Sequence, residues 1–317
     1  MKILANDGIA PIGKKNLEAA SFEVITETVA QENLIKAINE NNYVGLLVRS
    51  ATTVRKELID ACPGLKLIGR GGVGMDNIDV EYARSKGINV INTPAASSQS
   101  VAEQVMGHLF GAARSLYDSN RHMPVSGVSE FKTLKKKYGK GVELRGATLG
   151  IIGFGRIGQS LASYALGCGM KVIAFDPFVP QATIHIKIAD QTIDVAITTT
   201  SLEDVLSNSN FISLHMPMPA DGNALIGNEE FAKMKDGVII ANAARGGVID
   251  EDSLIMNLNT GKVAHAALDV FTKEPTPRAD LLEHTNISLT PHTGAATLEA
   301  QDRIGEELAS QIINHFQ

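Results

Sequence analysis

A chain of 317 residues has room for two domains at roughly 150 residues each, and 44% hydrophobic with 20% charged residues describes a globular protein with a sizeable core. Its 29 Lys and Arg against 35 Asp and Glu leave a net charge of −6, which argues against a basic nucleic-acid surface but admits an anionic small substrate held by a few gathered arginines. Two distant cysteines, Cys62 and Cys168, exclude a disulfide framework and a cysteine-rich zinc site. No apolar run reaches the ~18 residues of a membrane helix, and Met1–Asp7 enters a strand without a leader-like segment. A cytoplasmic protein without metal, membrane or nucleic-acid partner is expected.

Apolar runs predict strands at Lys2–Asn6, Phe22–Thr26, Val44–Arg49, Leu65–Gly69 and Asn89–Asn92, with helical patterns at Gln31–Asn41 and Val54–Cys62 between them. A small-residue turn, Asn92–Ser100, follows; Ser98 or Ser100 is a candidate cap for a helix running to about Asn120. Arg121–Gly141 reads as the least regular and most basic stretch, with Lys132, Lys135, Lys136, Lys137 and Lys140. A solvated arm or dimer contact is the simpler reading of it, a phosphate site the other. A second series of strands is predicted at Thr148–Ile152, Lys171–Phe175, Phe211–His215, Val238–Asn242, Ala264–Val270 and Ile287–Thr290, with helices at Arg156–Gly167, Leu202–Ser207 and Glu251–Asn259. Continuous rather than alternating apolar runs belong to strands covered on both faces, and strand–helix repetition builds parallel sheets. The expected fold class is α/β, with two doubly wound parallel-sheet domains of Rossmann or flavodoxin-like type and a cleft between them.

The first strand of the second series runs into Gly153-Phe154-Gly155-Arg156-Ile157-Gly158 and then a helix, and Asp176 ends the next strand 18 residues after Gly158. Each part has a task in dinucleotide binding. Gly153 allows a tight turn, Gly155 admits a pyrophosphate, and Gly158 lets helix and strand pack. The helix N-terminus offers N–H groups to the phosphates, and Asp176 accepts ribose hydroxyls while repelling a 2′-phosphate, which favours NAD.

Chemistry-bearing side chains stand at other strand ends, where open α/β sheets bind ligands. Arg245 lies between Asn242-Ala243-Ala244 and Gly246-Gly247, small residues that keep the backbone close to whatever its fork holds, and a planar fork suits a carboxylate. Glu274 follows the run Leu268–Lys273, and His292 sits in the turn Pro291–Gly294. A carboxylate bonded to imidazole would fix the ring's tautomer. His215 reads as packing on the cofactor side. In the first half, Arg49 and Ser50 end one strand, and Arg70 with the Gly71-Gly72-Val73-Gly74 nest ends another, together a candidate anion site.

These segments (Gly69–Asp79, Gly146–Gly158, Phe211–Pro217, Ala241–Asp250, Ala267–Pro275 and Thr290–Ala296) resemble the D-isomer-specific 2-hydroxyacid dehydrogenases, in that family's order, from about Val44 to the end. The first-half loops are most similar to members that oxidise 3-phospho-D-glycerate to 3-phosphooxypyruvate, the first step of serine biosynthesis. The resemblance implies Arg245 on the substrate carboxylate, His292 as general acid/base and Glu274 as its partner. It implies NAD contacts from Arg156, Ile157, Asp176, His215, Ala243 and Asp269, the last on the nicotinamide carboxamide. Gly72, Val73, Gly74 and Arg245 would hold the carboxylate, and Arg49, Ser50 and Arg70 the phosphate.

The family architecture implies a discontinuous substrate domain, residues 1–97 and 287–317, around an NAD domain of residues 98–286, in a homodimer. Two features depart from the family's pattern: Ala96-Ser97 replaces a usual Gly-Asn, and the chain has no tryptophan. The end at Gln317 implies no carboxy-terminal regulatory domain. Two alternatives stay open: a dehydrogenase or reductase for glyoxylate, hydroxypyruvate or D-lactate, and an NAD(H)-sensing binding protein of the same fold.

Overall fold

In the computed structural model, which describes residues 1–317, the chain forms two units: 1–98 with 295–317, and 99–294. The first holds β1 (Lys2–Ala5), α1 (Pro11–Ala19), β2 (Glu23–Ile25), α2 (Leu34–Asn41), β3 (Tyr43–Val48), α3 (Lys56–Ala61), β4 (Leu67–Arg70), α4 (Val80–Ser85) and β5 (Asn89–Asn92). Its sheet is parallel throughout, in the order β2-β1-β3-β4-β5 of flavodoxin-like folds. Neighbouring residues of a strand point to opposite faces, and here both faces are covered. Leu4, Leu46 and Ile68 enter one apolar layer, while Ile3, Leu47 and Leu67 enter another with Leu308 and Ile312 of the C-terminal helix. That double covering is why the strands read as unbroken apolar runs.

The second unit holds α5 (Ser98–Ala113), α6 (Leu116–Ser126), α7 (Phe131–Tyr138), β6 (Thr148–Ile152), α8 (Arg156–Gly167), β7 (Lys171–Phe175), β8 (Gln181–Ile188) and β9 (Gln191–Thr198). It continues with α9 (Leu202–Asn208), β10 (Phe211–Leu214), α10 (Asn228–Lys233), β11 (Val238–Asn242), α11 (Glu251–Thr260), β12 (Val263–Leu268), α12 (Ala279–Glu283) and β13 (Ile287–Leu289). Helix α13 (Leu298–Phe316) closes the chain in the first unit. Six parallel strands run β13-β12-β11-β10-β6-β7, so the strand order reverses between β6 and β10. The glycine loop after β6 and the turn after β10 therefore meet at the switch point, the usual ligand position in such sheets.

Three expectations need correction. The boundary at 287 falls too early, because β13 pairs with β12 and so belongs to the second unit, which ends at Gly294. The long helix to about Asn120 breaks at Ser115, whose φ of 48° is left-handed, into α5 and α6. Arg121–Gly141 is mostly helical rather than irregular. Leu134 is the buried side of α7, Lys137 pairs at 3.0 Å with Asp118 of α6, and the other lysines of the run are exposed. Between β7 and α9 lies an unforeseen antiparallel hairpin, β8–β9, whose Ile184 and Ile197 are buried beside α8.

Candidate active site

The dinucleotide loop follows from close backbone approach. A Cβ on Gly153, whose φ is +93°, would stand 2.5 Å from the His215 carbonyl oxygen, and one on Gly158 would stand 2.3 Å from the Gly153 oxygen. Above Gly155 there is open space instead, with no atom within 4 Å of an added Cβ. Helix α8 begins there without a side-chain cap, leaving its first N–H groups to a ligand. Asp176 accepts the amides of Phe154 (2.7 Å) on Oδ2 and of Phe178 (2.8 Å) and Val179 (3.2 Å) on Oδ1. Of its four acceptor positions one remains, on Oδ2.

His215 packs against this loop. Its Nε2 lies 2.8 Å from Ser213 Oγ, and its buried Nδ1 has no hydrogen-bond partner. A bare lone pair costs less than a bare N–H, so Nε2 carries the proton and Nδ1 is an unused acceptor. Burial pushes its pKa down to about 4, keeping the ring neutral. Open space at Gly155, an uncapped helix start and an orphaned acceptor all fit a bound dinucleotide.

Glu274 and His292, the pair expected to do acid/base work, meet within the second unit. His292 Nδ1 lies 2.8 Å from Glu274 Oε2, and Glu274 Oε1 accepts the Phe271 amide at 3.0 Å. An ionised carboxylate only accepts, so Nδ1 bears the proton and Nε2 is left as the ring's basic nitrogen. His292 is exposed and has a left-handed φ of 55°. An apolar cavity of about 420 Å³ adjoins the pair, lined in part by Pro277, Leu282 and Leu289.

Arg245 lies in a loop tied by Asn242, which accepts the Ala244 amide at 3.0 Å and donates to the Arg245 carbonyl at 2.8 Å. Arg245 Nη1 donates to the Ala244 carbonyl at 2.7 Å. Gly246 brings this loop against the one that carries Glu274, since a Cβ there would stand 1.9 Å from the Phe271 oxygen. Asp269 is buried and accepts from Thr290 Oγ1 (2.6 Å) and the amides of Thr293 (2.9 Å) and Gly294 (2.9 Å). In the structure it anchors the His292 loop, leaving one acceptor position for another donor.

The candidate anion residues Arg49, Ser50, Arg70, Gly72, Val73 and Gly74 lie in the first unit. Asp7, at the end of β1, accepts the amides of Arg49 (2.6 Å) and Thr52 (3.0 Å) on Oδ2, and Asn77 donates to the Arg49 (2.8 Å) and Thr52 (2.6 Å) carbonyls. The Arg70 guanidinium folds over Gly72 and donates to the Gly71 carbonyl at 3.3 Å. Asn92 donates to the Val73 carbonyl at 2.7 Å. Asp7, Asn77 and Asn242 are organising residues that sequence reasoning missed, because short polar residues at loop ends carry no periodic signal.

Residues 106–294 match the family model for the D-isomer specific 2-hydroxyacid dehydrogenase NAD binding domain. The chain belongs to the D-isomer-specific 2-hydroxyacid dehydrogenases. It is therefore an NAD-dependent oxidoreductase. It is 45% identical over 300 residues to a hydroxypyruvate reductase of Thermotoga maritima, covering 93% of this chain and 91% of that one. It is 39% identical over 316 residues to the D-3-phosphoglycerate dehydrogenase of Archaeoglobus fulgidus, covering 99% of this chain but 57% of that one. The chain thus spans little more than half of that longer relative. Among solved structures, a D-lactate dehydrogenase from Aquifex aeolicus complexed with NAD and lactic acid superposes with a TM-score of 0.75 at 29% identity, over 100% of this chain and 95% of that one. No helix is long and apolar enough to cross a membrane.

Proposed function

We propose that this 2-hydroxyacid dehydrogenase oxidises 3-phospho-D-glycerate to 3-phosphooxypyruvate with NAD, at the entry to serine synthesis in the cytoplasm. The observation that carries the chemistry is the Glu274–His292 pair, whose geometry leaves Nε2 of His292 as a base. His292 takes the hydroxyl proton of the substrate, and Glu274 stabilises the imidazolium that forms. When bound, NAD supplies the acceptor for the hydride from C2. Arg245 and the amides of Gly72, Val73 and Gly74 hold the carboxylate, and Arg49, Ser50 and Arg70 take the phosphate. Gly153, Gly155, Arg156, Ile157, Gly158, Asp176, His215 and Ala243 hold the cofactor, with the remaining acceptor position of Asp269 turned to its carboxamide. The charge of Asp176 supports NAD over NADP. Exposed Phe110, Leu116, Met123, Val125 and Phe131 on α5, α6 and α7 support a homodimer.

A second reading is favoured by the 45% identity to the hydroxypyruvate reductase: the same machinery reducing an unphosphorylated 2-oxo acid. NADH absorbance with a panel of 2-hydroxy and 2-oxo acids, with and without a 3-phosphate, separates the two. Preference for the phosphorylated pair supports the first reading. Preference for hydroxypyruvate replaces it with the second, and NADH binding without turnover on any member overturns both.

A further inference from the structure

The acid/base histidine stands on a left-handed residue in an exposed turn, and something must hold that turn in register. A half-buried polar chain does so from helix α5. Thr290 Oγ1 lies 2.6 Å from Asp269 Oδ1, 2.8 Å from Gln104 Nε2 and 3.1 Å from His108 Nε2, while His108 Nδ1 lies 2.8 Å from Ser288 Oγ. Bond accounting orders every proton. Ionised Asp269 can only accept, so the single Thr290 hydroxyl proton goes to it. Thr290 Oγ1 must then accept from both Gln104 and His108, which puts the His108 proton on Nε2 and makes Nδ1 the acceptor for Ser288. Burial lowers the His108 pKa against the opposing charge of Asp269, so the ring stays neutral and this pattern persists. Asp269, aligned in this way, clamps the amides of Thr293 and Gly294 on one side of His292, while the His292 amide donates to the Thr290 carbonyl at 3.1 Å on the other.

We propose that Thr290, supported by Gln104 and His108, is a positioning residue for His292: it fixes the direction of the Asp269 carboxylate and through it the turn that aims the imidazole. The inference rests on the reading of His292 as the general acid/base. Neither Thr290 nor α5 touches the reacting atoms in this account.

Thr290→Val removes the hydroxyl at nearly constant volume, and Thr290→Ser restores it. Thr290→Val is expected to lower kcat for 2-oxo acid reduction at least ~10-fold at saturating NADH, and to raise the NADH dissociation constant, read by fluorescence, because the same Asp269 carboxylate faces the cofactor. Thr290→Ser should recover most of the rate. In a His292→Ala background the same Thr290→Val change should alter the residual rate by less than about twofold, since its effect passes through the imidazole. Amide exchange at Thr293 and Gly294 should quicken at least ~10-fold in Thr290→Val, a readout that needs no turnover. Unchanged kcat with unchanged exchange, or an equal loss in both backgrounds, would overturn the proposal. If Thr290→Val fails to fold, Gln104→Met removes one donor and should show the same pattern at smaller amplitude; its absence counts against the proposal equally. A wild-type protein inactive on every acid defeats the parent reading alone, and the exchange experiment still decides whether Thr290 holds the turn.

Discussion

Alanine at Gly246 would put a methyl group 1.9 Å from the Phe271 carbonyl oxygen, 2.1 Å from the carbonyl carbon and 2.6 Å from the Thr272 nitrogen. All three neighbours are backbone, so no side chain can swing aside. Relieving the 1.9 Å approach to ordinary contact requires a displacement of about 1.5 Å, shared between the two loops. Phe271 donates its amide to Glu274, so the movement passes directly into the carboxylate that orients His292. Misplacing a reacting group by ~1 Å can cost on the order of 10²-fold in rate, and overpacking typically costs ~1–3 kcal/mol of stability. Gly246→Ala is therefore expected to lower kcat on the best acid of the panel by about two orders of magnitude and to lower the melting temperature by several degrees. NADH-linked turnover and a thermal melt measure the two effects. A variant within twofold of wild-type kcat and with an unchanged melt would show that the Phe271–Thr272 backbone yields freely, refuting the claim that this contact sets the site.

Three further outcomes are expected. His215 is held neutral with a pKa of about 4 against an ordinary 6.5, so the unfolded chain takes up a proton that the native state refuses, and stability falls as pH drops from 6.5 toward 4. The loss attributable to it between pH 7.5 and pH 5 is about 2 kcal/mol, which denaturant titrations of wild type and His215→Asn should reveal as a steeper pH slope in wild type; parallel slopes would contradict it. Gly155→Ala meets open space and should leave the melt unchanged while weakening NADH binding roughly 10-fold; equal affinity would remove Gly155 from the cofactor cradle. Glu274→Gln keeps a hydrogen-bond acceptor for Nδ1 but deletes the charge facing the imidazolium, and a fall of about 10²-fold in kcat is expected; a loss under threefold would make Glu274 merely structural.

Much of the fold is legible in the chain because both sheets are covered on both faces. Strands at Asn89–Asn92, Thr148–Ile152, Lys171–Phe175 and Val238–Asn242 and the helix at Arg156–Gly167 keep the limits read from apolar runs. The hairpin was not read from the sequence: Ala182, Ile184 and Ile186 alternate with Thr183, His185 and Lys187, a period-2 signal that is hard to see in a chain whose other strands are continuous runs. The end of the second unit was not legible: β13 looks the same in sequence whether it returns to the first sheet or joins β12, and only pairing decides. In the site, strand-end glycines, acids and arginines could be named from type and position, while the pairing of Glu274 with His292 followed only from the family resemblance. The bonds of Asp269, Thr290, Gln104 and His108 could not, because helix α5 and strand β13 lie some 180 residues apart in the chain and nothing local marks their meeting.

The central claim is that His292, oriented by Glu274, moves the proton in a 2-hydroxyacid dehydrogenase. Its most direct test is single-turnover NADH oxidation by wild type and His292→Ala on the preferred 2-oxo acid, with NADH affinity measured in parallel. The account predicts a fall of ~10²–10⁴-fold in the rate with affinity unchanged. A near-normal rate in His292→Ala would contradict it.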